Sequence, residues 1–135
     1  MTLPLPYVTM AVFCQEARQH PDGTLTLTNV LDRITVSEVG GRLPRVAPLV
    51  AVVGLRCDSA PGTHQIRLDV HQPSGASHRL ATLPVEPRAE GDNIARILRV
   101  NLDIHELGDY WVDVGWDDRV VTRMRLSVVR AAISG

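Results

Sequence analysis

Histidines, cysteines, serines and clustered carboxylates are the side chains of this 135-residue chain whose types do chemistry, and their spacing limits which chemistry. His71 and His78 flank the turn Gln72-Pro73-Ser74-Gly75 and face each other if the flanking runs form a hairpin. Two ligands do not hold a metal, so Asp69 or Asp58 would have to complete the set. His64 and His71 differ in strand parity and do not chelate together. Asp113 with Asp117-Asp118, and Glu90-Gly91-Asp92-Asn93, are acidic groups of the kind that bind calcium at loop tips, but neither has the ligand spacing of a known motif. Ser59, Ser74 and Ser77 fall in turn segments, with no Gly-x-Ser-x-Gly elbow. Cys14 and Cys57 lie in apolar runs, where burial raises a thiol pKa and works against nucleophilic use. No glycine-rich phosphate loop or nucleotide fingerprint is present. No catalytic, cofactor or metal residue is assigned, and no cofactor is expected.

The remaining chemical clue is a strip near the C-terminal end. Tyr110, Val112, Val114 and Trp116 share one parity; Val120, Met124, Leu126 and Val128 share another. The alternation predicts two half-buried strands forming a hairpin. A two-residue loop at Asp117-Asp118 would set Val112 against Arg123, mixing apolar and charged residues on one face. A three-residue loop, Asp117 to Arg119, pairs Trp116 with Val120, Val112 with Met124 and Tyr110 with Leu126, and is preferred because a one-residue slip flips every side chain. Asp113 then stands opposite Arg123 and Trp111 opposite Arg125 on the solvated face. Trp111, Asp113, Arg123 and Arg125 are therefore the candidate interaction surface, offering an ion pair and a cation–π contact.

The elements that must carry this strip read as strands. Tyr7 to about Ala17 is apolar almost throughout, as in a strand buried on both faces or a core helix segment. His20-Pro21-Asp22-Gly23 turns the chain into Thr24 to Thr28, which alternates. The apolar parity then shifts from Leu25 and Leu27 to Val30, Ile34 and Val36, which predicts a β-bulge near Thr28-Asn29 or else a strand break. Ser37 to Pro48 reads as a long loop, and Leu49 to Cys57 as a continuous apolar strand with Gly54 marking a bulge or a close approach. His64–His71 and His78–Leu83 form a second hairpin. Pro84 to Asn93 is a polar, mobile loop, and Leu98 to Ile104 is a strand. Long loops on a rigid scaffold are often where binding resides, so 37–48 and 84–93 are also candidates.

Composition narrows the class. The net charge is −1, so no field favours nucleic acid or an anionic membrane. All fourteen basic residues are Arg, suited to planar bidentate contacts. With one Phe, two Trp and two Tyr, stacking platforms for single strands are lacking. There is no transmembrane run, and Leu3-Pro4-Leu5-Pro6 makes a poor signal peptide. A cytoplasmic protein with reduced, buried thiols is expected, an inter-sheet disulfide being the alternative.

Runs of this size, punctuated by Gly/Pro turns, predict a single domain over residues 1–135 that is an all-β, antiparallel sandwich of seven to nine strands. Leu107-Gly108-Asp109-Tyr110 followed by Val112 and Val114 resembles the tyrosine corner of immunoglobulin-like and fibronectin-like sandwiches, which implies an immunoglobulin-like fold. Phe13-Cys14, Asp22-Gly23-Thr24 and Val30-Leu31-Asp32-Arg33-Ile34, with a middle Pro-Gly pair and a late Gly-x-Tyr strand, resemble a family of small uncharacterised bacterial proteins. That resemblance brings no activity with it. The functional expectation is a non-enzymatic interaction or assembly module, binding an unknown protein partner or itself through loops or a sheet face, with no nucleic acid and no membrane. A small-molecule or carbohydrate binder stacking on Trp111 or Trp116 is the alternative, and a Cys/His hydrolase is third.

Overall fold

The computed structural model describes residues 5–57, 62–88 and 91–131, and over them the chain forms nine β-strands in two sheets without a helix. In chain order they are β1 (Tyr7–Gln19), β2 (Leu25–Leu31), β3 (Arg33–Val36), β4 (Val46–Cys57), β5 (His64–His71), β6 (Ser77–Val85), β7 (Asp92–Asp103), β8 (Gly108–Trp116) and β9 (Arg119–Arg130). One sheet runs β2-β1-β4-β7 and the other β3-β9-β8-β5-β6. The main core lies between them. Phe13, Ala51 and Leu98 stand in one row of the four-stranded sheet, and Ile66, Val112 and Leu126 come from the five-stranded one.

The pairing is not antiparallel throughout. β3 pairs with β9 in parallel, Arg33 against Ser127 through Val36 against Arg130. Ile34 and Val36 thus belong to the second sheet, where the parity of Leu25 and Leu27 no longer applies. Asn29 takes a left-handed backbone (φ 53°), yet the β1–β2 register is the same on either side of it, so no residue is inserted there. The chain instead leaves the first sheet at Asp32, whose carbonyl accepts from Ser127 N–H at 3.0 Å, and enters the second as β3. Val30, expected to face inward, is 60% exposed.

The C-terminal hairpin keeps the expected register from Gly108 to Val114: Tyr110 faces Leu126, Val112 faces Met124 and Asp113 faces Arg123. Its turn differs from the expectation. The loop has two residues, Asp117 and Asp118, with Asp117 left-handed (φ 55°), and the register shifts between Val114 and Gly115 so that Val121 is the extra residue. A two-residue turn plus a β-bulge gives the same register as an odd loop, at the cost of turning Val120 out to 55% exposure. Tyr110 is fully buried. Its hydroxyl donates to the Glu106 carbonyl at 2.7 Å and accepts from the Glu106 and His105 N–H groups at 3.2 and 3.3 Å. This is the corner the sequence resemblance implied.

Two loop boundaries move. Pro48 is inside β4, opposite Asn101 and beyond the last β1 partner, so its missing N–H breaks no ladder bond on that side. β7 begins at Asp92, not near Leu98, because it pairs with β4 along its whole length. The acidic run Glu90 to Asn93 and the residues Asp58 and Ser59 fall partly or wholly outside the described residues. Gly54 sits where β1 bulges between Val8 and Met10, and a Cβ there would meet Thr9 Oγ1 at 2.6 Å. That is the close approach its position predicts.

Candidate functional site

Alternation places the outer face of the five-stranded sheet opposite Val70, Val112 and Met124. The register then builds two rows across four strands. One runs Ser77, His71, Trp111, Arg125; the next runs Arg79, Asp69, Asp113, Arg123. The four sequence candidates are thus brought together, joined by His71, Asp69 and Arg79. The sequence offers Asp69 only as a candidate third ligand beside His71 and His78 and does not reveal this grouping. The missing information was that β5 lies beside β8, a pairing that no turn signals.

Asp69 and Asp113 are direct cross-strand neighbours, which would be unfavourable for two bare carboxylates. Each is paired away from the other. Arg79 Nε donates to Asp69 Oδ1 at 3.0 Å, and Arg123 Nε donates to Asp113 Oδ1 at 2.6 Å. His71 Nε2 lies 2.8 Å from Asp113 Oδ2. Asp113 is only 7% exposed, so the expectation of a solvated side chain does not hold for it. Burial pushes its carboxyl pKa up, but the Arg123 and His71 hydrogen bonds outweigh that and hold it below the usual carboxylate range. The Arg123 pKa is raised in turn by its bond to Asp113.

Trp111 is the large apolar side chain of this face, 40% exposed. The cation over its ring is Arg123, with the guanidinium carbon 5.9 Å from the ring centroid, not Arg125, which is its direct cross-strand partner. Asp113 therefore does two things at once. It holds Arg123 by one nitrogen and so fixes the cation beside the indole. The chemistry available is that of a flat, partly apolar recognition strip with arginine forks at one side.

The other candidates are placed elsewhere. His71 pairs with Ser77, while His78 pairs with Val70, so the two histidines are not cross-strand partners. No group of three metal-ligating side chains occurs among the described residues. His64 stacks on Trp116 with ring centroids 4.6 Å apart and bonds through Nδ1 to Asp117 Oδ2 at 2.7 Å. Asp117 Oδ1 accepts from Gln65 N–H at 2.9 Å, so Asp117 latches the β8–β9 turn to β5 and stands apart from Asp113. Trp116, 4% exposed, offers no stacking surface to a ligand. Cys14 and Cys57 are both fully buried thiols, packed in different apolar clusters. Burial, with the Glu16 charge adding to it, raises the Cys14 pKa. The 37–45 segment holds an isolated bridge between Val39 and Arg42 and contributes no residue to the two rows.

Comparison with known proteins identifies a family but no activity. The pattern of a family of unknown function, DUF6941, matches residues 9–129. No curated protein matches the chain. Among solved structures, Pseudomonas fluorescens alkylpurine DNA glycosylase AlkC, bound to DNA containing an abasic site analog, is similar with a TM-score of 0.55 at 11% identity, covering 92% of this chain and 30% of its own. The β-glucosidase from Listeria innocua in complex with glucose gives 0.53 at 11% identity, covering 91% and 17%. The chain thus spans less than a third of either protein, and at these identities the likeness concerns the fold alone.

Proposed function

The chain belongs to DUF6941, a family of unknown function, and from that premise we propose that it is a non-catalytic interaction module binding a protein partner through the outer face of its five-stranded sheet. The observation that carries this reading is Trp111: an indole left 40% exposed beside an arginine that the buried Asp113 holds in place. Trp and Arg dominate the energetics of protein interfaces, and a side chain ordered before binding loses less entropy on docking. The same reading takes the sandwich as immunoglobulin-like, supported by the Tyr110 corner, and the protein as a bacterial, cytoplasmic one that uses neither nucleic acid nor membrane.

Affinity capture from the native lysate, comparing wild type with Trp111→Ala and Arg125→Ala, tests the site. The variants should retain the fold and lose the partner, with Trp111→Ala weakening binding by about 2 kcal/mol or more, the size of an interface hot spot. Recovery of the same partner at undiminished yield by both variants would place the interface elsewhere.

A further inference from the structure

Strand register extends the outer face of the five-stranded sheet beyond the two rows around Trp111. Next to the row of Arg79, Asp69, Asp113 and Arg123 comes a third, in which Thr82, Arg67 and Gly115 are aligned across β6, β5 and β8. Gly115 has no side chain, and the side chain of Arg67 lies across it: a Cβ on Gly115 would stand 3.4 Å from Arg67 Nε and 3.5 Å from its Nη2. On the far side of the Trp111 row, Asp109 faces Ser127, and Ser127 faces Arg33 of the edge strand β3.

The charges of this face do not balance. Arg33, Arg67, Arg79, Arg123 and Arg125 share its strands with three carboxylates. Asp69 and Asp113 are taken by Arg79 and Arg123, and Asp109 accepts from Ser127 Oγ at 2.6 Å. The turn carboxylate Asp117 is held by His64 and the Gln65 N–H. Among the described residues no carboxylate pairs with Arg67 or Arg125, and Arg67 Nε is buried without an acceptor. Buried guanidinium N–H groups are ordinarily satisfied, so an acceptor from another molecule would supply what this chain does not.

We propose, resting on the reading of the Trp111 face as the interaction surface, that the partner's contact is an extended acidic segment whose two carboxylates are taken by Arg67 and Arg125. The spacing of the arginines defines that segment. They lie two strands apart across the sheet and, along β5, as far apart as Arg67 is from His71. With strands about 4.8 Å apart and a rise of about 3.4 Å per residue, their Cα atoms are separated by roughly 17 Å. An extended chain covers that in about four to six residues, and an even spacing turns both carboxylates to the same side. Between the two forks lies the matched row of Asp69 and Asp113 with their arginines, so the segment is uncharged in its middle. A nucleic-acid strand, with a phosphate at every residue, would press charge against both aspartates. Trp111 adjoins Arg125 and offers its indole to an apolar side chain next to one carboxylate. A carboxylate arriving at Arg67 draws the guanidinium off Gly115 and accepts from Nε and one Nη together, the bidentate geometry that arginine favours.

Fluorescence anisotropy of labelled Gly/Ser peptides tests this, each carrying one Leu and two Glu placed two, four or six positions apart, with Gln-for-Glu counterparts. The four- and six-position peptides should bind with a Kd below about a millimolar, at least about tenfold more tightly than the two-position peptide or the Gln counterparts. Arg67→Gln and Arg125→Gln should each weaken that binding by at least about tenfold, and Arg99→Gln, on the other sheet, should leave it unchanged. Oligothymidylate should not distinguish wild type from Arg67→Gln. Circular dichroism confirms that each variant keeps its strands. Absence of binding across the series, indifference to spacing, arginine variants that bind like wild type, or oligothymidylate binding that needs Arg67 would each overturn the proposal. Partner capture separates this from failure of the underlying reading. A partner lost with Trp111→Ala but kept by Arg67→Gln removes the acidic segment and leaves the face as an interface; a partner kept by both removes the face itself.

Discussion

Asp113 shows how one residue type changes meaning with its neighbours. On an alternating strand it reads as an ordinary outward carboxylate, and its facing is as predicted. Its burial is not, because the side chains that cover and satisfy it come from β5 and β9 together. Replacing it with Asn removes the charge that pairs with Arg123 and weakens the bond to His71, and should cost about 1–3 kcal/mol at neutral pH. The pH dependence has a fixed sign. The folded-state carboxyl titrates below its unfolded value of about 3.9, so its stabilising contribution is complete above that value and is lost as pH falls through the lower folded value. Urea unfolding of wild type and Asp113→Asn should therefore differ by a constant amount near neutrality and converge below about pH 4. A gap that persists unchanged into acid would mean that the carboxylate's charge plays no part.

Strands and hairpins were the most legible level of this chain, because period-two alternation survives whatever the tertiary context. The β5–β6 and β8–β9 hairpins, the Pro-Asp-Gly turn after β1 and the Tyr110 corner all follow from local residues. What local pattern does not carry is the means by which a register is reached. Parity required one odd residue in the last hairpin, and the chain supplies it as a bulge at Val121 in place of a longer loop. Nor does pattern reveal which strands become neighbours, so the two rows that hold His71 and the Asp69–Asp113 pair were invisible until β5 met β8. Gly54 is the element-scale exception that sequence did flag. Thr9 is the extra residue of the β1 bulge, and a Cβ on Gly54 would collide with its hydroxyl. Gly54→Ala should destabilise the protein by about 1–3 kcal/mol. Thr9 is exposed, so Thr9→Ala alone should cost little. The double variant should recover most of the loss, since the next contact, Met10 Cβ at 3.5 Å, is ordinary packing. Thermal unfolding of the four proteins closes the cycle; strictly additive losses would show that the bulge is not the constraint.

At the scale of the whole molecule, the fold depends on distant pairings. β1 meets β4, β4 meets β7, β5 meets β8, and β3, at the edge of its sheet, meets β9. Loop closure must precede each of these contacts, so refolding should occupy milliseconds to seconds. Stopped-flow fluorescence of buried Trp116 is a suitable reporter, and microsecond folding would be incompatible with this topology. The all-β character of the molecule was legible in its sequence; the parallel β3–β9 joint was not, because a sheet change at Asp32 leaves no more local trace than a change of apolar parity.

That joint also bears on how the protein is made. A ribosome adding about 5–20 residues per second releases β3 well before β9 exists. For the seconds between, Ile34 and Val36 belong to a nascent chain whose partner strand is still unsynthesised, with the apolar run of β1 already made and that of β4 following in the interval. β3 therefore stays unpaired on its sheet until the last strand is made, and premature termination ahead of Arg119 would leave it without its partner strand.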